Sequence, residues 1–338
     1  MKSEFHSLLI QYITNGILSK WDYLHSFFDI SKSYRKNAKK LIQLHHEQSI
    51  FGKLNKKEEV KIESSYYRGK NTFVVKMMSG LERELGEDLF GAYLHGSLAT
   101  QEEIRYSDFD ALVILKDTVF ENEKSLSKVG LKLNRLQQIM HEFDPLQHHG
   151  WFVLTESMLK NYPISYFPLE LFNYSVSLLP SKGLSFDVTH NRHITDFETP
   201  FIQLSNELLQ KIKGKYRPQN SFALKSFLSE FMLLPTFYLQ SKNKSALYKK
   251  HSFKMAQKDF SAEEWNIMDR VSKIRKDWNY EISSFQRTLL CNRNAIVRKL
   301  SRKYAPAISS SIAEKLTDEF YLAMSSLVLA MQTNIKPS

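Results

Sequence analysis

Three short apolar runs interrupt a chain otherwise written in helical periodicity, and that break limits the folds open to it. The runs are Leu89–His95, Phe109–Leu115 and Trp151–Leu154, each of the length of a buried strand. Around them, Leu8, Leu9, Tyr12, Ile13, Ile17 and Leu18 recur at helical spacing within residues 1–48. Val74, Val75, Met78 and Leu81 mark a helix over 72–86, closed near Gly86, and Leu126, Val129, Leu133, Leu136 and Ile139 mark another over 121–142. Helix, strand, loop, strand, helix, strand is the order of a small mixed sheet with helices packed on it. The polar stretch 52–64, with Lys56-Lys57-Glu58-Glu59, reads as a loop or an exposed helix end.

From residue 200 the chain reads as helical throughout. Phe222, Leu224, Phe227, Leu228, Phe231 and Met232 make a strongly apolar helix that Pro235 kinks or ends. Ser261-Ala262-Glu263-Glu264 has the form of a capping box, and the segments 281–303 and 308–332 are periodic. Only 11 glycines and 9 prolines among 338 residues suit such a helix-rich chain. The expected class is α+β: an N-terminal helical segment over 1–75, a small mixed sheet with flanking helices over 76–195, and an all-helical domain over 196–338.

Cys291 is the single cysteine, so no intrachain disulfide or cysteine-clustered zinc site can form. No apolar stretch approaches the roughly 20 residues that span a bilayer, and the first residues, Met1 to His6, lack the pattern of a signal peptide. The expected location is cytoplasmic, with no membrane partner; composition leaves the oligomeric state open. The formal net charge of +11 points to a polyanionic partner. Residues 242–303 hold 16 Lys or Arg against 6 Asp or Glu, and Lys32, Arg35, Lys36, Lys39 and Lys40 form a second basic run. Such concentrations fit phosphate contact, from a nucleoside triphosphate or from RNA.

The chemistry is concentrated between Tyr93 and Leu115, Tyr-Leu-His-Gly-Ser-Leu-Ala-Thr-Gln-Glu-Glu-Ile-Arg-Tyr-Ser-Asp-Phe-Asp-Ala-Leu-Val-Ile-Leu. A strand ends in Gly96-Ser97, and ten residues later Asp108-Phe109-Asp110 enters another strand. Side chains two apart on a strand share a face, so Asp108 and Asp110 project together and can share metal ions. Magnesium prefers carboxylate and phosphate oxygens. Gly96 lets a phosphate approach the backbone, and Ser97 adds a hydroxyl and an amide donor.

This arrangement resembles the polymerase-beta-like nucleotidyltransferase superfamily, whose signature is Gly-Ser, about a dozen residues, then an Asp-apolar-Asp triplet on a strand. The resemblance is firm over residues 88–116. It extends more weakly to Tyr166-Phe167-Pro168-Leu169-Glu170-Leu171, to Ser177-Leu178-Leu179-Pro180, and to the stretch Tyr248 to Lys254, which are similar to parts of the antibiotic-type (aminoglycoside) enzymes. It implies an enzyme that moves a nucleoside monophosphate from a nucleoside triphosphate such as ATP to an acceptor hydroxyl, with two magnesium ions on Asp108 and Asp110. The triphosphate would rest on Gly96 and Ser97, with Lys250 or Lys254 as the lysine that faces the active site in such relatives. The acceptor stays open among a small molecule, RNA and a protein.

The chain departs from that pattern at the third carboxylate, where the strand at 148–155 carries His148-His149-Gly150-Trp151. A neutral imidazole is a competent general base near neutral pH. Strand alternation presents one of the two histidines to the cleft, and His149, nearer the strand proper, is the expected one. Asp144 and Asp187 are the carboxylates that could take the role instead. His95, before the Gly-Ser turn, reads either as a phosphate contact or as a packed strand residue. The alternative to an enzyme is a catalytically inactive nucleotidyltransferase fold that binds nucleotide or RNA.

Overall fold

The computed structural model describes residues 4–19, 22, 29–50, 57–180, 182–191 and 197–335. The architecture is mixed α+β, with N-terminal helices, a small mixed sheet and a helical C-terminal region. By its internal contacts the chain divides into two compact units. The first comprises residues 1–103, 107–194 and 284–303; the second comprises 104–106, 195–283 and 304–338.

In the first unit, alternation along three strands builds two cores. The strands are β3 (Leu89–His95), β4 (Asp110–Leu115) and β5 (Phe152–Thr155), preceded in the chain by β1 (Lys57–Glu63) and β2 (Ser65–Tyr66), and followed by β6 (Val176–Ser177) and β7 (Ser185–Asn191). The five-stranded sheet runs β2-β6-β3-β4-β5, with β3 antiparallel to β4 and β4 parallel to β5. A parallel neighbour needs a crossover, and the helix α5 (Glu123–Phe143) supplies it, capped where the Asn122 side chain accepts a hydrogen bond from Ser125 N at 2.8 Å. Ala111, Val113 and Leu115 of β4 face the helices α1 (Glu4–Asn15), α2 (Ile30–Ile50), α3 (Thr72–Leu85) and α5. Leu112 and Ile114 face the other way, into a cluster with Tyr93, Phe167, Phe172 and Phe186. The turn α4 (Gly96–Ala99) leaves the end of β3.

Within the stretch 52–64 read from sequence as a loop or helix end, residues 57–63 are instead a strand, and 52–56 lie outside the described residues. Residues β1 and β7 form a separate antiparallel ladder in which Ile62 lies opposite Phe186 and Val60 opposite Val188. The apolar side of this ladder, Ile62, Phe186 and Val188, is buried in the aromatic cluster, while Lys61 and Asp187 face outward. The residues 284–303 fold as two short helices, α11 (Ser284–Leu290) and α12 (Ala295–Ser301), and belong to this first unit.

The second unit has only helices among its described residues: α6 (Glu198–Lys213), α7 (Ser221–Phe231), α8 (Leu234–Asn243), α9 (Lys249–Ala256), α10 (Ala262–Lys276), α13 (Ser310–Ala313) and α14 (Asp318–Ile335). Pro235 sits in the first turn of α8, where its missing N–H costs nothing, so it starts a helix after α7 has ended. The capping box at Ser261 forms as expected, with Glu264 N donating to Ser261 Oγ at 3.2 Å and Ser261 N donating to Glu264 Oε2 at 2.8 Å. Tyr106 is anchored in this unit: its hydroxyl donates to the Lys225 carbonyl at 2.8 Å and its ring meets Trp278 edge-on. No described helix is long and apolar enough to cross a membrane.

One contact decides how closely α2 approaches α5. A Cβ placed on Gly130 would lie 2.6 Å from the Tyr34 ring, and that ring is wholly buried. Helix propensity alone makes Gly→Ala in a helix interior stabilising by about 1 kcal/mol. Here overpacking, typically about 1–3 kcal/mol, outweighs it. Gly130→Ala is therefore expected to lower the thermal midpoint in calorimetry; a raised midpoint would show that Tyr34 yields freely.

Candidate functional site

Register across the sheet brings the motif residues together. His95 is the cross-strand partner of Asp110, so Gly96, the next residue, turns directly beside that carboxylate. Gly96 has a φ of +72°, and a Cβ there would lie 2.7 Å from Asp110 Oδ2. Both its backbone conformation and the space require glycine. The turn then closes on itself, with Thr100 N donating to the Gly96 carbonyl at 3.3 Å and Glu102 N to the Ser97 carbonyl at 2.8 Å. Ser97 Oγ donates to Ser107 Oγ at 2.8 Å, so its hydroxyl is engaged within the loop.

Phe109 is fully buried, edge-on to Phe143, and the aspartates on either side of it are half-buried. Asp108 is close enough for its charge to act on both Asp110 and His149. The backbone of this triplet is held by Gln147, a residue without a signal in the sequence. Phe109 N donates to Gln147 Oε1 at 2.9 Å, while Gln147 Nε2 donates to the Phe109 carbonyl at 3.1 Å and to the His149 carbonyl at 3.0 Å. One carboxamide thereby ties the Asp-Phe-Asp strand entry to the segment that carries the histidine.

His149 is the histidine that reaches Asp110, but both histidines precede β5, which begins at Phe152, so the segment entering the strand places it rather than the expected strand alternation. Its Nε2 lies 3.0 Å from Asp110 Oδ1, and its Nδ1 lies 3.1 Å from the Gly150 carbonyl. Burial works against a charged imidazole, but the hydrogen bond and charge of Asp110, the charge of Asp108 and the Gly150 carbonyl outweigh it and push His149 up to about 9. Burial would likewise raise Asp110, and the His149 bond and charge more than offset it, holding that carboxyl below its usual range. The ordinary imidazole titration expected from the sequence is thus displaced: at neutral pH His149 is an imidazolium paired with Asp110.

His95 behaves in the opposite way. It is buried between Phe152 and Phe167, each ring centroid 5.0 Å away. Burial pushes it down to about 4 despite the charge of Asp110, and its Nε2 has no hydrogen-bond partner among the described residues. It is a packed, neutral ring.

The other acids lie elsewhere. Asp144 is buried at the end of α5, where its Oδ1 accepts from Leu146 N at 3.1 Å. Asp187 is exposed on β7 opposite Lys61, on the face away from the aromatic cluster. Lys250 and Lys254 are exposed on α9 of the second unit. Among the described residues no group of three or more His, Cys, Asp or Glu is disposed as a complete metal site. Comparison with protein families, curated proteins and solved structures matches nothing to this chain.

The electrostatics make a direct prediction for the metal-free protein. Because His149 is raised in the folded chain, its contribution to stability is complete below the unfolded imidazole value of about 6.5 and is lost as pH rises through about 9. Asp110, being lowered, contributes above the ordinary carboxyl value and loses that contribution in acid. The His149 ring protons should titrate near 9 by NMR, and in Asp110→Asn near or below the ordinary value of about 6.5. An unshifted wild-type titration would refute the ion pair.

Proposed function

We propose that this chain is a metal-dependent nucleotidyltransferase, transferring a nucleoside monophosphate from a nucleoside triphosphate to an acceptor hydroxyl. The observation that carries the reading is the placement of the Asp110 carboxylate, with Asp108 beside it, against the positive-φ Gly96 turn. The donor set suits magnesium, which commonly binds through one or two carboxylates and completes its shell with substrate phosphates and water. Asp108 and Asp110 would hold it, and when bound it neutralises phosphate charge and orients the attacking oxygen. Glycine at 96 lets the turn lie directly against the Asp110 carboxylate, where a Cβ would collide with Oδ2.

His149 then has a definite part. Bonded to Asp110 at 3.0 Å, it fixes the orientation of that carboxylate, and Gln147 fixes both through the backbone. While protonated it cannot accept the proton of an acceptor hydroxyl, so in the chain as described it is a positioning residue for Asp110. The same observation favours a second reading, a fold that binds nucleotide or RNA without transfer, because an imidazolium occupies the place where the resemblance calls for a third acid.

The two readings separate in one assay. Incubation with each α-labelled triphosphate, magnesium, cell RNA and a small-molecule extract is expected to label an acceptor and release pyrophosphate. Asp110→Asn keeps the shape but removes the charge, and should reduce labelling by about a hundredfold or more, the scale of deleting one electrostatic stabiliser, with an unchanged circular dichroism spectrum. Nucleotide binding without any labelled acceptor would favour the binding module. Undiminished turnover of Asp110→Asn at saturating magnesium would remove Asp110 from the mechanism.

A further inference from the structure

The outer face of the first half of α2 carries a row of cations. Ser33, Tyr34, Asn37, Ala38 and Leu41 are buried on its inner side, and Lys32, Arg35, Lys36, Lys39 and Lys40 are exposed on the opposite side, at intervals of three and four residues with no acid among them. Of these, Lys36 reaches Asp22 at 3.4 Å. None of Lys32, Arg35, Lys39 and Lys40 pairs with a carboxylate among the described residues.

This arrangement is unfavourable for the helix itself. Like charges at these intervals repel, and Lys32, Arg35 and Lys36 crowd the positive end of the helix dipole, where Asp29 Oδ1, accepting from Ser31 N and Lys32 N at 2.9 and 3.3 Å, offsets only part of the charge. Asp29 and Asp22 answer the helix start and Lys36, but the outward row of Lys32, Arg35, Lys39 and Lys40 keeps its mutual repulsion, which a polyanionic ligand would relieve.

A second basic element sits on the same end of α1. Ser33 Oγ and Asn37 Nδ2 of α2 donate to the Gly16 carbonyl at 2.6 and 3.0 Å, while Arg298 Nη2 of α12 donates to Asn15 Oδ1 at 3.2 Å. The α11–α12 hairpin, residues 284–303, contains six Lys or Arg and no Asp or Glu, and Lys299 and Lys303 are exposed on it.

We propose that the outer face of α2, continued by the α11–α12 hairpin, is an RNA-binding surface that presents the acceptor RNA to this unit. Regular cations without acids match a phosphate backbone. A membrane helix would need an apolar face to insert, but the apolar face of α2 is consumed by the core. A protein partner would need aromatic or aliphatic anchors at the centre of the patch, and lysine is depleted in such centres. The acceptor role rests on the transferase reading above; the binding surface does not.

Binding of a labelled single-stranded RNA, and separately of vesicles rich in anionic lipid, tests the assignment against Lys32→Gln/Arg35→Gln/Lys39→Gln/Lys40→Gln. Removing four phosphate contacts should weaken RNA binding by about tenfold or more at physiological salt and flatten the log-log salt slope by about 3, at roughly 0.7 per contact. The thermal midpoint should stay level or rise, because repulsion within α2 is relieved. Lys32→Arg/Lys39→Arg/Lys40→Arg, which keeps the charge, should bind as the wild type does. Asp110→Asn should also bind RNA normally, so lost transfer with retained binding speaks to the catalytic reading and lost binding in the glutamine variant speaks to the surface. Unchanged RNA affinity in the glutamine variant, no RNA binding by the wild type, or binding to the vesicles in preference to RNA would overturn the proposal.

Discussion

The hydrogen bonds of Gln147 hold the two halves of the candidate site in one register. Its carboxamide both accepts from and donates to the backbone of Phe109, and donates again to the carbonyl of His149. A buried amide that satisfies the backbone of two separate segments is costly to replace, because an apolar side chain would leave those groups without partners. With this link in place, the segment leading into β5 brings His149 to Asp110, and the antiparallel β3–β4 ladder brings Gly96 to the same carboxylate. The site is therefore a property of three chain segments, each too short to be stable alone.

Two histidines beside one aspartate show how local contact decides charge. His95 is the cross-strand partner of Asp110, yet it is enclosed by Phe152 and Phe167 and burial prevails. His149 is partly exposed and makes a direct bond to Asp110, so the carboxylate prevails. A charge acts strongly through a hydrogen bond and much less without one. The site consequently combines one cation, two carboxylates and one neutral ring, an arrangement that fixes the orientation of Asp110.

Much of this was legible in the sequence where short-range rules operate. The apolar runs at 89–95 and 109–115 became strands because nothing in them competes with a buried ladder. Ser261 with Glu264 made the expected cap, whereas the alternation rule that points to His149 does not act on it, since both histidines precede β5. The strand at 57–63 was missed because its charged residues hide the alternation of Val60 and Ile62, and its partner is β7, far along the chain. Gln147 carries no sequence signal, since a buried glutamine in a loop looks like any polar residue until its backbone partners are in place. The raised His149 could not be read either, because it depends on a 3.0 Å contact formed only by folding.

The reading of Asp108 and Asp110 as metal ligands is tested most directly by paramagnetic broadening. Manganese added with a non-hydrolysable triphosphate broadens nuclei near it, and the steep distance dependence makes the readout local. The account predicts selective loss of the His149 ring signals, which lie against Asp110, and no such loss in Asp108→Asn/Asp110→Asn. Sharp His149 signals at saturating manganese and nucleotide, with broadening elsewhere in the chain, would contradict it.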